Sequence, residues 1–221
     1  MTLGKEVNLM KNYPQSKRDV SGRLISKTSK DKKIAQQFGK DFFDGSRNQG
    51  YGGFTYNPRF WQPVIPTFQE HWNLKSGDSL LDIGCAKGFM LYDMKQLIPG
   101  IEVNGIDISE YAIANVKKEM KEFCRVADAV NLPYDDSSVD VVISITTLHN
   151  LEENDLKTAL LEIERVKKRG SFITLDAYRD NNERERMEAW NLTAKTMMHV
   201  NQWKEFLFDV GYTGDYYWFI P

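Results

Sequence analysis

A glycine-rich turn follows the first strongly apolar segment of the chain. Residues 80–83 read Leu-Leu-Asp-Ile, Gly84 comes next, and a second glycine stands at Gly88 before a helical pattern over residues 89–97. Glycine permits close approach of the backbone to a ligand, and the first N–H groups of a helix have no partner inside the helix. Open α/β sheets bind ligands at the carboxyl ends of their strands, which is where this turn falls. The pattern predicts a binding site for a small molecule.

An acidic residue ends the next apolar segment. Asp107 lies 23 residues after Gly84, where a carboxylate can accept hydrogen bonds from both ribose hydroxyls of an adenosine. The alternative is that Asp107 caps the helix that begins after Ile108 and Ser109. The turn reads G-x-x-x-G and lacks the G-x-G-x-x-G pattern of dinucleotide sites, which argues against NAD.

These segments resemble the class I, Rossmann-like S-adenosylmethionine-dependent methyltransferases. The resemblance is to the small-molecule methyltransferase-domain group, whose first motif reads D-x-G-C-x-x-G, and it extends over about residues 78–180 at four separate places. It implies an α/β fold, a three-layer αβα sandwich with a mostly parallel sheet of six or seven strands and an N-terminal helical or irregular cap. It also implies S-adenosyl-L-methionine as cofactor and S-adenosyl-L-homocysteine as product.

The resemblance assigns roles to the first two motifs. Gly84 and Gly88 would border the methionine part of the cofactor, and Asp82 would hold its ammonium group, directly or through water. Asp107 would hold the ribose.

The third and fourth motifs would serve the adenine and the reactive methyl group. Ile108 would lie against the adenine ring, and Leu132 would cover it. Asp128 would accept a hydrogen bond from the adenine amino group, while the backbone N–H of Ala129 would serve a ring nitrogen. The cofactor-binding residues implied within the core are Asp82, Gly84, Cys85, Ala86, Gly88, Asp107, Ile108, Asp128, Ala129 and Ser144.

Aromatic residues and glycines alternate in residues 49–61, before the core. In related enzymes, residues at this place often hold the carboxylate of S-adenosylmethionine. Arg59, through its two-pronged guanidinium, and Tyr51 or Tyr56 have suitable chemistry for that contact, and Tyr56 is also a candidate substrate-binding residue. The alternative is that these side chains pin the N-terminal segment to the core.

His149 stands just beyond the apolar run of residues 139–145. An imidazole that titrates near pH 6.5 suits removal of a proton from a hydroxyl or amine, so His149 is both a candidate catalytic residue and a candidate substrate contact. It could equally shape the pocket or pack against the cofactor. Asp176 and Tyr178 follow the fifth predicted strand on the same side, where they either bind substrate or end the strand.

Regular alternation of apolar runs and helical periodicity begins at residue 79. Strands that alternate with helices along the chain imply a parallel sheet. Helical spacing in the later amphipathic segment favours core packing of Trp190 and Trp203 over a place in a substrate pocket. The predicted strands are residues 80–83, 103–107, 124–127, 139–145 and 172–177, and the predicted helices are residues 89–97, 110–122, 155–168 (closed by Gly170) and 201–210.

Two regions follow from these patterns, a basic leader and cap over residues 1–58 and the S-adenosylmethionine-binding domain over residues 59–221. After residue 210 only one strand, residues 216–219, can form, whereas the family sheet usually ends in an antiparallel pair. The sheet therefore has six strands or borrows an edge from the leader or from a second subunit. An exposed aromatic edge would favour a homodimer.

The charge of the chain is unevenly distributed. The formal net charge is −2, which is no signature of nucleic-acid or membrane binding. Residues 1–40 nevertheless contain ten Lys or Arg against three acids. This leader is either a solvated segment or an arm that attracts an anionic substrate.

Composition narrows the class of protein further. Two cysteines, Cys85 and Cys124, without zinc-ligand spacing favour a reducing compartment, and no apolar run approaches the ~20 residues of a membrane span. Together with the resemblance, these features lead us to expect a cytoplasmic methyltransferase, without metal, that methylates a small metabolite, with oxygen preferred; the metabolite is anionic if the basic leader attracts it. Nucleic acid is not expected as a partner. The alternatives are a non-catalytic S-adenosylmethionine-binding subunit and an enzyme that transfers another group from the cofactor.

Overall fold

A parallel sheet of seven strands lies at the centre of the chain. The computed structural model describes residues 4–14, 20, 22 and 26–221, and every structural statement below concerns these residues. The strand order is β3-β2-β1-β4-β5, with β7 beside β5, the short β6 at the end of β5, and parallel pairing throughout. The strands are β1 (Ser79–Ile83), β2 (Glu102–Asp107), β3 (Cys124–Val126), β4 (Val139–Ile145), β5 (Lys167–Tyr178), β6 (Met198–His199) and β7 (Asp215–Phe219).

Helices flank this sheet and complete a three-layer α/β fold. Side chains alternate along each strand, so one strand supplies both faces. Leu81 faces a buried cluster that includes Leu160, whereas its neighbour Leu80 faces a second cluster that includes Met94. The helices are α1 (Ser29–Ala35), α2 (Lys40–Asp44), α3 (Ile65–Trp72), α4 (Phe89–Leu97), α5 (Glu110–Ala114), α6 (Glu153–Val166), α7 (Asn181–Trp190) and α8 (Val200–Val210).

The helix predicted over residues 110–122 is shorter than its periodicity indicates. Ser109 caps it as expected, accepting a hydrogen bond from the N–H of Ala112 at 3.0 Å, but the α-helix ends at Ala114. The N–H of Lys117 then donates to the carbonyl of Lys87 at 2.9 Å. Contact with the glycine turn thus replaces the continuing helix, because a tertiary hydrogen bond outweighs a weak local propensity.

Gly170 does not close the preceding helix, contrary to expectation. α6 ends at Val166, and β5 begins at Lys167. Gly170 lies inside β5, where a Cβ atom would sit 2.7 Å from Nε1 of Trp72. Glycine is needed there because the α3 tryptophan packs directly on the strand.

The last strand and the leader complete the sheet. β7 pairs with β5 in parallel, so the antiparallel pair usual in the family is absent from the described residues. On the other side of β7, the N–H of Val7 donates to the carbonyl of Tyr216 at 3.0 Å, and the N–H of Tyr216 donates to the carbonyl of Lys5 at 3.0 Å. The leader therefore supplies the borrowed edge. Because it covers the strand there, the structure offers no support for a homodimer through this edge.

The cap consists of α1, α2 and the glycine-rich segment over residues 45–57, which lie beside the carboxyl ends of the strands. Part of the basic leader, Lys17, Arg18 and Arg23, lies outside the described residues, so its expected role is not addressed by the fold. Within the described part of the chain, no helix combines the length and apolar character that crossing a bilayer requires.

Candidate active site

A cavity of about 1310 Å³ opens at the carboxyl ends of the strands and beneath the cap. Pockets for one small molecule are typically about 300–1,000 Å³, so this space is large enough for two ligands side by side. The cavity brings together most of the predicted site residues, namely Tyr51, Arg59, Asp82, Gly84, Cys85, Ala86, Asp107, Ile108, Asp128, Ala129, His149 and Asp176.

The glycine turn is anchored to the second strand. The N–H groups of Gly84 and Cys85 both donate to the carbonyl of Ile106, at 2.8 and 3.0 Å. Gly84 has a φ of +85°, and a Cβ atom there would lie 2.1 Å from Oγ1 of Thr147 in the loop after β4. Only glycine lets the turn and that loop approach so closely.

The side chain of Asp107 is hydrogen-bonded to the glycine turn. Its Oδ2 accepts a hydrogen bond from the N–H of Ala86, and its Oδ1 accepts one from the N–H of Ser109, each at 2.8 Å. Burial raises the pKa of Asp107, and these two N–H groups act in the opposite direction. Each carboxylate oxygen keeps a second lone pair. Asp107 therefore combines the structural role that the sequence left open with a place on the cavity wall.

Asp82 is a buried carboxylate, only 5% exposed, to which no described residue donates a hydrogen bond. Burial and the charge of Asp107 raise its pKa to about 8. A buried carboxylate without a partner is unfavourable until a cation neutralises it. The site thus fits the ammonium group of an amino-acid-bearing nucleoside such as S-adenosylmethionine.

The residue after β2 presents an accessible apolar side chain to the cavity. Ile108 is 54% exposed, which leaves its side chain available to a flat ring. Asp128 and Ala129 line the same region, and Asp128 Oδ1 already accepts a hydrogen bond from the N–H of Val130 at 3.1 Å. Leu132, in contrast, is buried in the core and does not line the cavity, so its place over the ring stays a prediction.

Two predicted cofactor residues do not line the cavity. The Cα of Gly88 faces the core, since a Cβ there would meet Cγ2 of Val116 at 3.0 Å, and the residue permits the left-handed N-cap of α4. Ser144 is fully buried, and its hydroxyl donates to the carbonyl of Ile83 at 2.9 Å. Both support the turn and the strands, and neither lines the cavity.

Two predicted substrate residues are also directed elsewhere. The hydroxyl of Tyr56 donates to Oδ1 of Asp93 at 2.6 Å; burial and this carboxylate raise the pKa of Tyr56 to about 12. Tyr56 thus pins the cap to α4, the alternative considered from the sequence. Tyr178 packs edge-on against His199, with ring centres 5.7 Å apart, and is absent from the cavity wall. Neither residue lines the cavity, and their substrate contacts stay predictions.

His149 and Asp176 meet at the cavity wall. The backbone N–H of Asp176 donates to Nδ1 of His149 at 3.1 Å, and Nε2 of His149 lies 3.5 Å from Oδ1 of Asp176. Both residues are 4% exposed. Burial lowers the pKa of His149, while the charge of Asp176 acts to raise it. The described residues contain no cluster of metal-ligating side chains.

An ion cluster that the sequence did not reveal attaches the cap to the glycine turn. Nζ of Lys87 donates to both carboxylate oxygens of Asp44, at 2.9 and 2.6 Å, and to the carbonyl of Phe54 at 3.0 Å. The hydroxyl of Tyr111 adds a hydrogen bond of 2.7 Å to Asp44. The one sign of this cluster in the sequence is the position of Lys87 within the glycine turn.

Basic and aromatic side chains also line the cavity. Arg47 lies with its guanidinium carbon 5.7 Å from the ring centre of Trp190, and Arg179 and Lys195 line the cavity as well. Trp190 was expected in the core and instead faces the cavity, whereas Trp203 is buried as expected. Helical periodicity does not reveal that Trp190 faces the cavity, because Trp190 is the last residue of α7.

Known methyltransferases share sequence similarity with this chain. Residues 81–175 match a family model described as a methyltransferase domain. The chain is 35% identical over 144 residues to the Arabidopsis thaliana tRNA (carboxymethyluridine(34)-5-O)-methyltransferase, covering 64% of this chain and 33% of that protein. It is 28% identical over 130 residues to a Mycobacterium tuberculosis phthiotriol/phenolphthiotriol dimycocerosates methyltransferase, covering 57% and 47%. The chain thus spans less than half the length of these relatives.

A solved structure shares the fold. It is a complex between the Haloferax volcanii Trm112 methyltransferase activator and a methyltransferase, with a TM-score of 0.51 at 23% identity, covering 68% of this chain and 72% of that chain. Residues 81–175 thus match the methyltransferase-domain family, and the chain has the Rossmann-like α/β fold of this solved structure.

Proposed function

We propose that the protein transfers a methyl group from S-adenosylmethionine to a small anionic acceptor, with a hydroxyl as the preferred acceptor group. The observation that carries this proposal is that one cavity is lined by two chemically different sets of residues, which we call its cofactor half and its acceptor half. The half at the glycine turn contains the acidic residues Asp82, Asp107 and Asp128. The half beneath the cap contains cations and aromatic rings.

The cofactor half would bind a nucleoside with a charged amino acid. S-adenosylmethionine supplies a methyl group on a sulfonium, which is already activated for one-step transfer. In this half Asp82 would take the ammonium group, Asp107 the ribose hydroxyls, and Ile108 one face of the adenine. Arg59 lies on the cavity wall with its guanidinium over the Phe60 ring, 4.7 Å from the ring centre, and would take the carboxylate.

The acceptor half would favour an anion. Arg47, Arg179 and Lys195 line it, and the acids there are Asp176 and Glu183. Arg179 lies 3.3 Å from Glu183, an ion pair that an anionic ligand can exchange for its own charge. Cations at the entrance also raise the local concentration of anions.

The residues around the junction of the halves would act mainly by alignment. Thr147 touches the glycine turn, and His149 and Asp176 face the acceptor half. Holding an acceptor beside the methyl group gives effective molarities of order 10⁵–10⁸ M. Rigid contacts among these buried groups would supply that alignment without a metal.

The test is labelling of a metabolite extract. Purified protein, deuteriomethyl-labelled S-adenosylmethionine and extract are incubated, and mass spectrometry follows both labelled products and S-adenosylhomocysteine. We expect one labelled compound that an anion-exchange resin retains, and none with Asp107→Asn. Cofactor binding without release of S-adenosylhomocysteine would favour a non-catalytic subunit, and a labelled product that carries a group larger than methyl would favour the other transfer reaction. Either result would overturn the proposal.

A second candidate is methylation of a tRNA base. The 35% identity to the Arabidopsis protein named for that reaction favours it. The acidic residues of the cofactor half give nucleic acid no advantage there, and Lys27 is occupied by carbonyls of Glu188 and Asn191 at 2.7 and 2.9 Å. Label in the tRNA fraction, together with retention of tRNA in filter binding, would replace the small-molecule proposal with this one.

A further inference from the structure

Among the described residues, four Arg or Lys side chains line the cavity, and two of them have no acidic partner. Nη1 of Arg179 lies 3.3 Å from Glu183, and Nζ of Lys195 lies 3.9 Å from the glutamate that precedes α6. Within the same part of the chain, Arg47 and Arg59 form no ion pair. Arg59 is assigned above to the carboxylate of the cofactor, so Arg47 is left to bind an acceptor.

The hydrogen bonds of Arg47 leave one edge of its guanidinium open. Nη1 donates to the carbonyls of Gly50 and Tyr51, at 3.2 and 3.0 Å, which takes one N–H bond for each carbonyl. The N–H bonds of Nε and Nη2 meet no acceptor among the described residues. The Nε–H bond and one Nη2–H bond are parallel, and their spacing matches the two oxygens of a carboxylate. This open edge belongs to a side chain that is exposed on the cavity wall.

Neighbouring residues fix the position of this guanidinium. Its carbon lies 5.7 Å from the ring centre of Trp190. The stem of Arg47 packs on the glycine-rich segment of the cap, since a Cβ at Gly52 would lie 3.1 Å from Cδ of Arg47. Nζ of Lys27, just before α1, donates to two carbonyls on either side of Trp190, at 2.7 and 2.9 Å. A side chain held in this way loses little freedom when it binds a ligand, so the fork is preorganised.

The charge and shape of this site favour a carboxylate over a phosphate. The other two cations of the acceptor half lie within ion-pair distance of glutamates, so the charge of one guanidinium, that of Arg47, is available there. A carboxylate carries one negative charge and is planar, as the fork is. A phosphate monoester carries about −1.5 to −2 charge at pH 7 and is tetrahedral. One carboxylate therefore balances the site, whereas a phosphate leaves negative charge without a partner.

We propose that Arg47 binds a carboxylate of the acceptor, which is therefore a hydroxycarboxylic acid, and that Trp190 is a positioning residue that holds the Arg47 guanidinium. This inference rests on the methyl transfer proposed above. Hydrogen bonds from a cation make carboxylate oxygens less basic, so the bound carboxylate stays unreacted. The hydroxyl oxygen forms the new bond to the methyl carbon, the carbon–sulfur bond breaks with its electron pair left on sulfur, and the hydroxyl proton passes to water. The product is a methyl ether that keeps its carboxylate.

The first experiment observes Arg47 directly and needs no methyl transfer. ¹H–¹⁵N spectra of the protein saturated with S-adenosylhomocysteine show the Nε–H signals of the arginines, and Arg47→Lys identifies the signal of Arg47. We expect benzoate to shift this signal with a Kd on the order of 1 mM, and its neutral analogue benzamide to leave it unchanged. Sodium chloride at the same concentration controls for ionic strength. An unshifted Arg47 signal in benzoate, or an equal shift in benzamide, would overturn the inference.

The second experiment identifies the acidic group of the acceptor. The labelling of the metabolite extract is repeated after its carboxyl groups have been converted to amides with a carbodiimide and methylamine, and separately after treatment with phosphatase. We expect amidation to abolish the labelled product and phosphatase to leave it, while a mixture of amidated and untreated extract excludes an inhibitor. The product should also survive alkali, which hydrolyses a methyl ester but not a methyl ether. A label that survives amidation, disappears after phosphatase or is released by alkali would contradict the proposal.

The third experiment separates acceptor binding from cofactor binding. Lysine keeps the charge at position 47 but lacks the parallel N–H bonds. With the acceptor recovered by labelling, we expect Arg47→Lys to raise its KM about ten- to a hundredfold, with kcat within about tenfold and the cofactor Kd within about threefold. Trp190→Leu should raise KM less, and should have no added effect in the Arg47→Lys protein, because it acts through that side chain. Arg186→Lys, at an exposed arginine of α7 outside the cavity, is the matched control and should alter none of these constants.

The outcomes distinguish this inference from the proposed function. If Arg47→Lys leaves the acceptor KM unchanged, or weakens cofactor binding as much as it raises KM, Arg47 does not bind the acceptor and the inference fails. If the wild-type protein methylates nothing in the extract, the proposed function fails, whereas the benzoate titration still decides whether Arg47 binds a carboxylate.

Discussion

Oδ2 of Asp107 accepts a hydrogen bond of 2.8 Å from the N–H of Ala86. The bond joins the end of β2 to a residue whose φ is +50°, a left-handed conformation that costs an alanine roughly 1–2 kcal/mol. The Asp107 carboxylate therefore stabilises the glycine turn, and both belong to the proposed cofactor site. Loss of the negative charge should affect the shape of the turn and ligand binding together.

Asp107→Asn should weaken S-adenosylmethionine binding by about a hundredfold or more. An asparagine oxygen cannot accept from both Ala86 and Ser109 and also serve the ribose, and each charge-assisted hydrogen bond contributes roughly 1.5–3 kcal/mol. Titration calorimetry measures the change. Asp135→Asn, which alters an exposed carboxylate outside the cavity, is the matched control and should leave Kd unchanged. An affinity of Asp107→Asn within about threefold of wild type would contradict the assigned site.

The affinity for S-adenosylmethionine should rise with pH between 6 and 7.5. The pKa of Asp82 is about 8 in the free protein because of burial and the charge of Asp107, so a bound ammonium must displace the proton of this carboxyl. The linkage gives up to about tenfold per pH unit below that pKa and release of about one proton per ligand. Calorimetry in two buffers of different ionisation enthalpy counts the protons.

Two controls isolate Asp82 in that experiment. Asp82→Asn should flatten the pH dependence, and 5′-methylthioadenosine, which has no ammonium group, should bind with little dependence on pH. Because the folded pKa is raised, the contribution of Asp82 to stability is present below about pH 4 and is lost as pH rises through about 8. Asp82→Asn should therefore raise the Tm of the ligand-free protein at pH 8, and a lower Tm would argue against a buried, unpaired carboxyl.

Lys87→Met should loosen the cap. Nζ of Lys87 is the cation that joins Asp44 to the carbonyl of Phe54, and its side chain is 9% exposed. Loss of these charged hydrogen bonds should lower the free energy of unfolding by about 2 kcal/mol. Hydrogen exchange and limited proteolysis over residues 39–57 should both accelerate, whereas Lys121→Met, an exposed lysine without an ion pair among the described residues, should change neither.

The pKa of Asp44 sets the pH below which the ion cluster no longer holds the cap. Burial acts to raise its pKa, but hydrogen bonds from Lys87, Phe54 and Tyr111 outweigh this and lower the pKa to about 2. The contribution of Asp44 to stability is therefore present above about pH 4 and is lost as pH falls through about 2. Equal exchange rates in residues 39–57 for wild type and Lys87→Met would show that the cluster does not hold the cap.

Tyr56→Phe should lower stability and leave ligand binding unchanged. Among the described residues, two groups donate to Oδ1 of the buried Asp93, this phenol and Nε2 of Gln62 at 3.1 Å, and none donates to Oδ2. Removing one donor should cost about 1–3 kcal/mol in chemical denaturation. A changed acceptor KM with unaltered stability would restore Tyr56 as a substrate residue.

Local patterns were sufficient for much of the fold. Continuous β-branched runs predict β4, and the strand–turn–helix context predicts the binding turn at Gly84, because burial and backbone conformation act within a few residues. The position of Asp107 at the end of β2 also follows, since parallel strands present their carboxyl ends at one edge. The interruption of α5 after Ala114 did not follow, since it depends on a hydrogen bond from Lys117 to the carbonyl of Lys87.

Sequence patterns are enough to predict the alternation of strands and helices, the glycine turn and the acidic residue that ends β2, because each depends on neighbours along the chain. The folded structure is needed to show that Tyr56 donates to Asp93 and that the N–H of Asp176 donates to Nδ1 of His149. These contacts join segments 27 or more residues apart. Whether a polar group faces a ligand or the protein depends on which partner the fold brings within hydrogen-bond distance, and residue type does not specify that partner.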